Sequence, residues 1–250
     1  TTYRGVIKNH LKPNLGAVRL CDLTTEQVQK MVRKLVKAKL APKTIKNIMT
    51  VLNSALEQAV KAQTLQRNPA KYAKIPAVRV KEIHTFTIQE IADFVDAAQD
   101  SPYYAPLMCC LFLGLREGEA LGLAWEHVNF ENGKVLICQQ LQKEKSKGGK
   151  FYIQEGTKNG QNRALDVPDF LLEILKDEKQ HQLLAHLSAG PAWQNVWGLC
   201  FTDALGQCIN PHTLWVNFKR IAASIGLPDA RVHDLRHTNA TLALVNGDDL

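Results

Sequence analysis

Nowhere in the 250 residues do about eighteen apolar side chains follow one another, and Thr1-Thr2-Tyr3-Arg4 does not open a charged-then-apolar export signal. The chain offers no membrane-spanning candidate and reads as cytosolic. Its six cysteines contain no C-x-x-C pair, and the adjacent Cys109 and Cys110 suit a disulfide poorly, so reduced and mostly buried thiols are expected. Internal repeats and low-complexity tracts are missing too, which speaks against a solenoid or a disordered tail.

Acidic residues are scarce in one part of the chain only. Residues 1–85 hold 17 Lys and Arg against 4 Asp and Glu, a net of +13, whereas residues 86–250 carry a net of −6. A basic third joined to a slightly acidic remainder suggests one module held on a polyanion by salt-sensitive phosphate contacts. A solvated basic surface is the plainer alternative. Hydrophobic content of 45% is enough for buried cores in two domains.

The first segment reads as helical. Tyr3 to Leu11 suits a partial helix stopped by Pro13 and Gly16. Thr24 and Gln27 form a capping-box signature ahead of Val28, Met31, Val32, Leu35 and Val36 on one helical face. Another helix follows Pro42, buries Ile45, Ile48, Met49, Leu52 and Leu56, and ends near Leu65. From Arg67 to Thr85 the pattern breaks at Pro69 and Pro76, which marks a basic linker over 69–85 between domains 1–68 and 86–250.

Thr87 and Glu90 repeat the capping box before a helix with Ile91, Phe94 and Val95. A more apolar helix covers Tyr104 to Leu113. Gly114 suits its C-terminal cap and places Leu115 and Arg116 at a sharp junction before a short helix from Glu117. Strands are expected at Lys134 to Leu141, Phe151 to Glu155 and Arg163 to Val167, with Asn159-Gly160 as the turn between the last two.

Three places could carry chemistry. Arg116 lies in Leu-Arg-Glu-Gly-Glu, where an arginine beside Glu117 and Glu119 is ordinarily a structural ion pair. Lys158, just before the Asn-Gly turn, is ordinarily a solvated hairpin residue. The run His233-Asp234-Leu235-Arg236-His237-Thr238 crowds two imidazoles and a guanidinium at a helix start, where spacing of three puts His233 and Arg236 on one face and the helix dipole favours an anion. His233 and His237 are four apart, but no H-E-x-x-H pattern and no third ligand accompany them, so no metal is expected.

Together these residues resemble a family. Gly114 to Leu121, followed by Leu123 and Trp125, resembles the first arginine box of tyrosine recombinases, the phage-integrase family. Thr157 to Arg163 and the run to Pro168 resemble its catalytic-lysine hairpin. His233 to Thr238, with Ala240, Thr241 and Gly247 to Leu250, is similar to its His-x-x-Arg box. His10 to Gly16, Asp22 to Thr24, Leu40 to Ile45 and Arg67 to Pro69 resemble its core-binding domain. The style is that of integrases of conjugative transposons and prophages, without the arm-type domain that usually precedes the core-binding domain.

The resemblance implies a mainly α fold with a small antiparallel β-sheet (α+β), built as a two-domain C-shaped DNA clamp with a SAM-like core-binding domain and a catalytic domain. It implies catalytic roles for Arg116, Lys158, His233 and Arg236, supporting roles for Glu119 and His237, and DNA contacts by Lys43, Lys46, Lys71, Lys74, Arg79, Lys81 and Arg163. It implies no cofactor, double-stranded DNA as partner, a tetramer on two sites, and possible excision and DNA-bending factors in a bacterial cytoplasm. The family's nucleophile is a tyrosine beyond the His-x-x-Arg box. Tyr3, Tyr72, Tyr103, Tyr104 and Tyr152 all precede that box, so the 250 residues are expected to bind DNA without cleaving it. A non-catalytic DNA-binding regulator and a Xer-like resolvase stand as alternatives.

Overall fold

The computed structural model describes residues 3–78, 84–144, 148–156 and 162–246. The chain divides into two compact units, Thr1–Lys81 and Glu82–Leu250. Mostly helical, with small antiparallel sheets in the second unit, it has the expected α+β character.

In the first unit, α1 (Tyr3–Val6) and α2 (Lys12–Leu15) are joined by a π-helical turn, Ile7–Leu11. Helical structure therefore runs through Pro13 instead of stopping there. Pro13 lies in the first turn of α2, where a missing N–H costs little. Helix α3 (Thr25–Lys37) starts at a formed capping box, with the Thr24 N–H donating to Gln27 Oε1 at 2.8 Å and the Gln27 N–H to Thr24 Oγ1 at 3.3 Å. Its stripe Val28, Met31, Val32 and Leu35 packs with Ile45, Ile48, Met49, Leu52 and Leu56 of α4 (Pro42–Lys61) and with Val6 and Ala70. Val36, expected on that stripe, is exposed. Helix α4 stops four residues before the expected Leu65, because Gln63 turns left-handed at φ 57° and the N–H groups of Thr64 and Leu65 fold back onto the Ala59 carbonyl.

The stretch after Pro69 stays attached to this unit. Asn68 is buried and donates to Glu57 Oε1 at 2.8 Å, while Gln29 bonds both the N–H and the carbonyl of Lys74. The expected linker thus begins with residues held by side-chain hydrogen bonds.

The second unit is built around α6 (Tyr104–Phe112), buried from Ala105 to Leu111, with α5 (Ile88–Ala98) also contributing to its core. The 4-residue strand β2 (Lys134–Ile137) and β3 (Gln139–Lys143) replace the single expected strand, broken at Cys138. The short β1 (Val128–Asn129) pairs with β2. The expected turn between β4 (Phe151–Glu155) and β5 (Arg163–Asp166) is not a hairpin of paired strands. Instead β4 pairs with β3 and β5 with β2, both antiparallel, with Glu155 opposite Gln139 and Arg163 opposite Ile137. The two are successive parts of one partner strand, and the chain leaves it across from Cys138, where the Gly156 N–H donates to the Cys138 carbonyl. The Asn159-Gly160 turn lies outside the described residues.

Helix α7 (Glu117–Leu121) lies flat on β3. A Cβ on Gly122 would sit 2.5 Å from the Leu141 nitrogen, so glycine is what permits this approach. Three further helices complete the unit: α8 (Asp169–Ala189), α9 (Pro211–Ser224) and α10 (Val232–Asn246). Among the described residues no helix is long and apolar enough to cross a membrane. All six cysteines are free thiols; Cys109, Cys110 and Cys200 are buried and Cys21 is exposed.

Candidate active site

The α6–α7 junction is shaped by Gly114, which adopts φ +59° and ends α6. Arg116 follows as the N-cap of α7, and Glu119 closes a capping box by accepting the Arg116 N–H at 3.0 Å. That local rule carries Glu119 into the interior, where its side chain is 1% exposed.

A buried carboxylate needs compensation, and here arginines from three elements supply it. Arg116 Nη1 donates to Oε1 at 2.6 Å. Arg163, at the start of β5, donates from Nη1 to Oε1 at 3.2 Å and from Nη2 to Oε2 at 2.7 Å. Arg236 Nη1, on α10, stands 3.9 Å from Oε2 and donates to the Gly114 carbonyl. The three arginine side chains keep about three tenths of their surface exposed, whereas the anion that they surround is buried. Burial alone would raise the Glu119 pKa, but the hydrogen bonds and charge of Arg163 and Arg116 outweigh it and hold the value at about 2.

Helix α10 is fixed against this junction. Asn239 Nδ2 donates to the Phe112 carbonyl at 3.0 Å, and a Cβ on Gly114 would fall 2.5 Å from Asn239 Oδ1. Buried Asp234 accepts the Arg231 N–H at 2.9 Å and pairs with its guanidinium at 2.7 Å. Buried Thr238 accepts the Phe86 N–H at 2.9 Å and returns its hydroxyl to the Asp234 carbonyl. His233 and His237 meet edge to face at 4.5 Å. Partial desolvation holds the His233 pKa below the ordinary histidine value, and His237 and Arg236 push it the same way. An imidazole in that state is largely neutral at neutral pH and can take up a proton.

Of the expected site residues, Arg116, Glu119 and Arg236 are brought together in space, with His233 and His237 on the same helix as Arg236. Arg163, expected to contact DNA, grips Glu119. The strand alternation carries that signal: Arg163 shares with Leu165 the face that is half-buried, whereas Ala164 and Asp166 are exposed. Lys43, Lys46, Lys71 and Lys74 are exposed on the first unit. Lys158, Arg79 and Lys81 lie outside the described residues. Among the described residues no cluster of three or more His, Cys, Asp or Glu is placed to hold a metal ion.

The class defined by this fold and this arginine cluster is confirmed by comparison with known proteins. Residues 81–250 match the phage integrase family, and residues 1–36 match the N-terminal SAM-like domain of phage integrases. The chain belongs to the phage integrase family of tyrosine recombinases.

Among its relatives is a tyrosine recombinase XerC-like protein of Caldanaerobacter subterraneus subsp. tengcongensis, 30% identical, covering 98% of this chain and 66% of that protein. The ICEBs1 integrase of Bacillus subtilis is 23% identical, over 98% of this chain and 66% of its own length. The chain thus spans about two thirds or less of several curated relatives. Among solved structures, a Tn1549 transposon integrase in complex with a circular intermediate DNA superposes with a TM-score of 0.84 at 17% identity, covering 98% of this chain and 81% of that one. A lambda integrase tetramer bound to a Holliday junction gives 0.68 at 18% identity, covering 99% and 67%.

Proposed function

We propose that the chain is the core-binding and catalytic part of a site-specific DNA recombinase that integrates and excises a mobile element through a 3′-phosphotyrosyl intermediate. The observation that carries this reading is the convergence of Arg116 and Arg236, from distant parts of the sequence, on the single buried carboxylate of Glu119.

Attack on a phosphodiester adds negative charge to the non-bridging oxygens of a pentacovalent transition state, so fixed cations there lower the barrier more than they strengthen binding. Arg116 and Arg236 each offer a rigid fork of donors that a lysine cannot reproduce. A tyrosine oxygen attacks phosphorus and its proton passes to neutral His233. The bond to the 5′ oxygen breaks, and Lys158 protonates that oxygen as it leaves. The phosphotyrosyl ester conserves the bond energy, so rejoining requires neither ATP nor metal.

Lys43, Lys46, Lys71, Lys74, Arg79 and Lys81 would neutralise backbone phosphates of duplex DNA, where recognition rests on phosphate contacts and DNA shape with few base contacts. The working form is a tetramer on two DNA sites in the bacterial cytoplasm, with excision and bending factors as further partners.

A suicide DNA substrate tests the reading in the full-length protein. Arg116→Ala and Arg236→Ala should each abolish strand joining while binding is largely kept. Joining that survives either change contradicts it. The XerC-like relative favours a second reading, resolution of joined copies of one site, which would join two identical sites in preference to an element end and a target.

A further inference from the structure

Glu119 has four hydrogen-bond acceptor positions, and four donors fill them: Arg116 through its N–H and Nη1, and Arg163 through both terminal nitrogens. Arg236 is left at 3.9 Å, outside hydrogen-bond range. We infer that Arg163 is a positioning residue for phosphoryl transfer: by clamping one edge of Glu119 with its full fork, it keeps that carboxylate from capturing Arg236 and leaves both Arg116 and Arg236 with donors free for one phosphate. This inference rests on the recombinase reading above.

Charge counts point the same way. Three guanidiniums around one carboxylate leave a net of two positive charges, matching the charge that a phosphodiester reaches as a second negative charge develops in attack. Without Arg163 the cluster would fall to a single net positive charge, and an under-neutralised Glu119 would draw Arg236 inward. Arg163 is also the first residue of β5 and lies five positions after Lys158, so its grip on Glu119 ties the strand next to the lysine segment to the arginine box.

Single-turnover cleavage of a suicide duplex by the full-length protein separates the possibilities, with equilibrium DNA binding measured beside it. Arg163→Gln should slow cleavage at saturating DNA by about 10- to 100-fold, with an unchanged salt dependence of binding. Arg163→Lys, which restores the charge and not the fork, should recover part of the rate. Combining Arg163→Gln with Glu119→Gln should cost much less than the product of the separate losses.

The rate of Arg163→Gln should also fall more on the acid side than the parent's does as His233 takes up a proton, because Glu119, with Glu117 and the Cys110 thiol nearby, would then face only Arg116 and Arg236. An unchanged rate at saturating DNA, with the salt slope reduced by about one, would make Arg163 a phosphate contact and overturn the inference. Multiplicative losses in the double variant would overturn it too. Failure of the parent to cleave, or full cleavage by Arg116→Ala, would strike the recombinase reading and the inference with it.

Discussion

Nη1 of Arg116 lies 2.6 Å from Oε1 of Glu119, and the same glutamate accepts the Arg116 backbone N–H at 3.0 Å. One side chain therefore sets both the start of α7 and the aim of the guanidinium. Glu119 has its pKa held at about 2, below the unfolded value of about 4.3, so it contributes stability that is full above the unfolded value and is lost as pH falls toward 2. The contribution is of order 3 kcal/mol. Glu119→Gln should lower stability at pH 7 by about that amount and by roughly half as much at pH 3, as urea unfolding at the two pH values would read.

His233 offers a pH signature in the opposite sense of charge. Its folded pKa lies below the ordinary histidine value, so the folded state prefers the neutral ring, and lowering pH through that range costs stability. Proton NMR of the DNA-free protein should give His233 a midpoint below about 6.5. Adding duplex DNA should raise that midpoint, because a phosphate favours the imidazolium. A midpoint at or above the ordinary value in the free protein would contradict the assignment.

The junction at Gly114 should tolerate no side chain. Gly114→Ala meets both a left-handed backbone, φ +59°, and Asn239 Oδ1 at 2.5 Å. A loss of about 1–3 kcal/mol is expected, together with a drop in strand joining, because the Gly114 carbonyl is what Arg236 holds. Thermal melts and joining assays on the same variant would show whether the two effects travel together.

Thr238 secures the start of the second unit. Removing its hydroxyl in Thr238→Val leaves the buried Phe86 N–H without an acceptor, which should cost about 1–3 kcal/mol in chemical unfolding. A loss under a few tenths would mean that the backbone there finds another partner.

Much of this was legible in residue order. Thr24 with Gln27 and Thr87 with Glu90 marked two helix starts, because a capping box is a short-range rule that tertiary packing seldom overrides. Glu119 was readable as an ion-pair partner of Arg116, while the capping box that it closes there was not read. What was not legible depends on long-range pairing. No local signal says that β4 and β5 share one partner strand broken at Cys138, and so the Asn159-Gly160 turn was read as joining a simple hairpin. Arg163 was expected to contact DNA, and its grip on Glu119 was not foreseen, although its inward register with Leu165 could be read from the strand alternation. Pro13 was given too much weight as a helix stop, since a proline in a first turn breaks nothing.

The most direct test of the central claim, that Arg116 and Arg236 serve the same phosphate, is the single-turnover cleavage rate on a suicide duplex whose scissile phosphate is replaced by a neutral methylphosphonate. If both guanidiniums act on the charge of that one group, Arg116→Ala and Arg236→Ala should each cost far less on the neutral substrate than on native DNA. Equal costs on the two substrates would contradict the account.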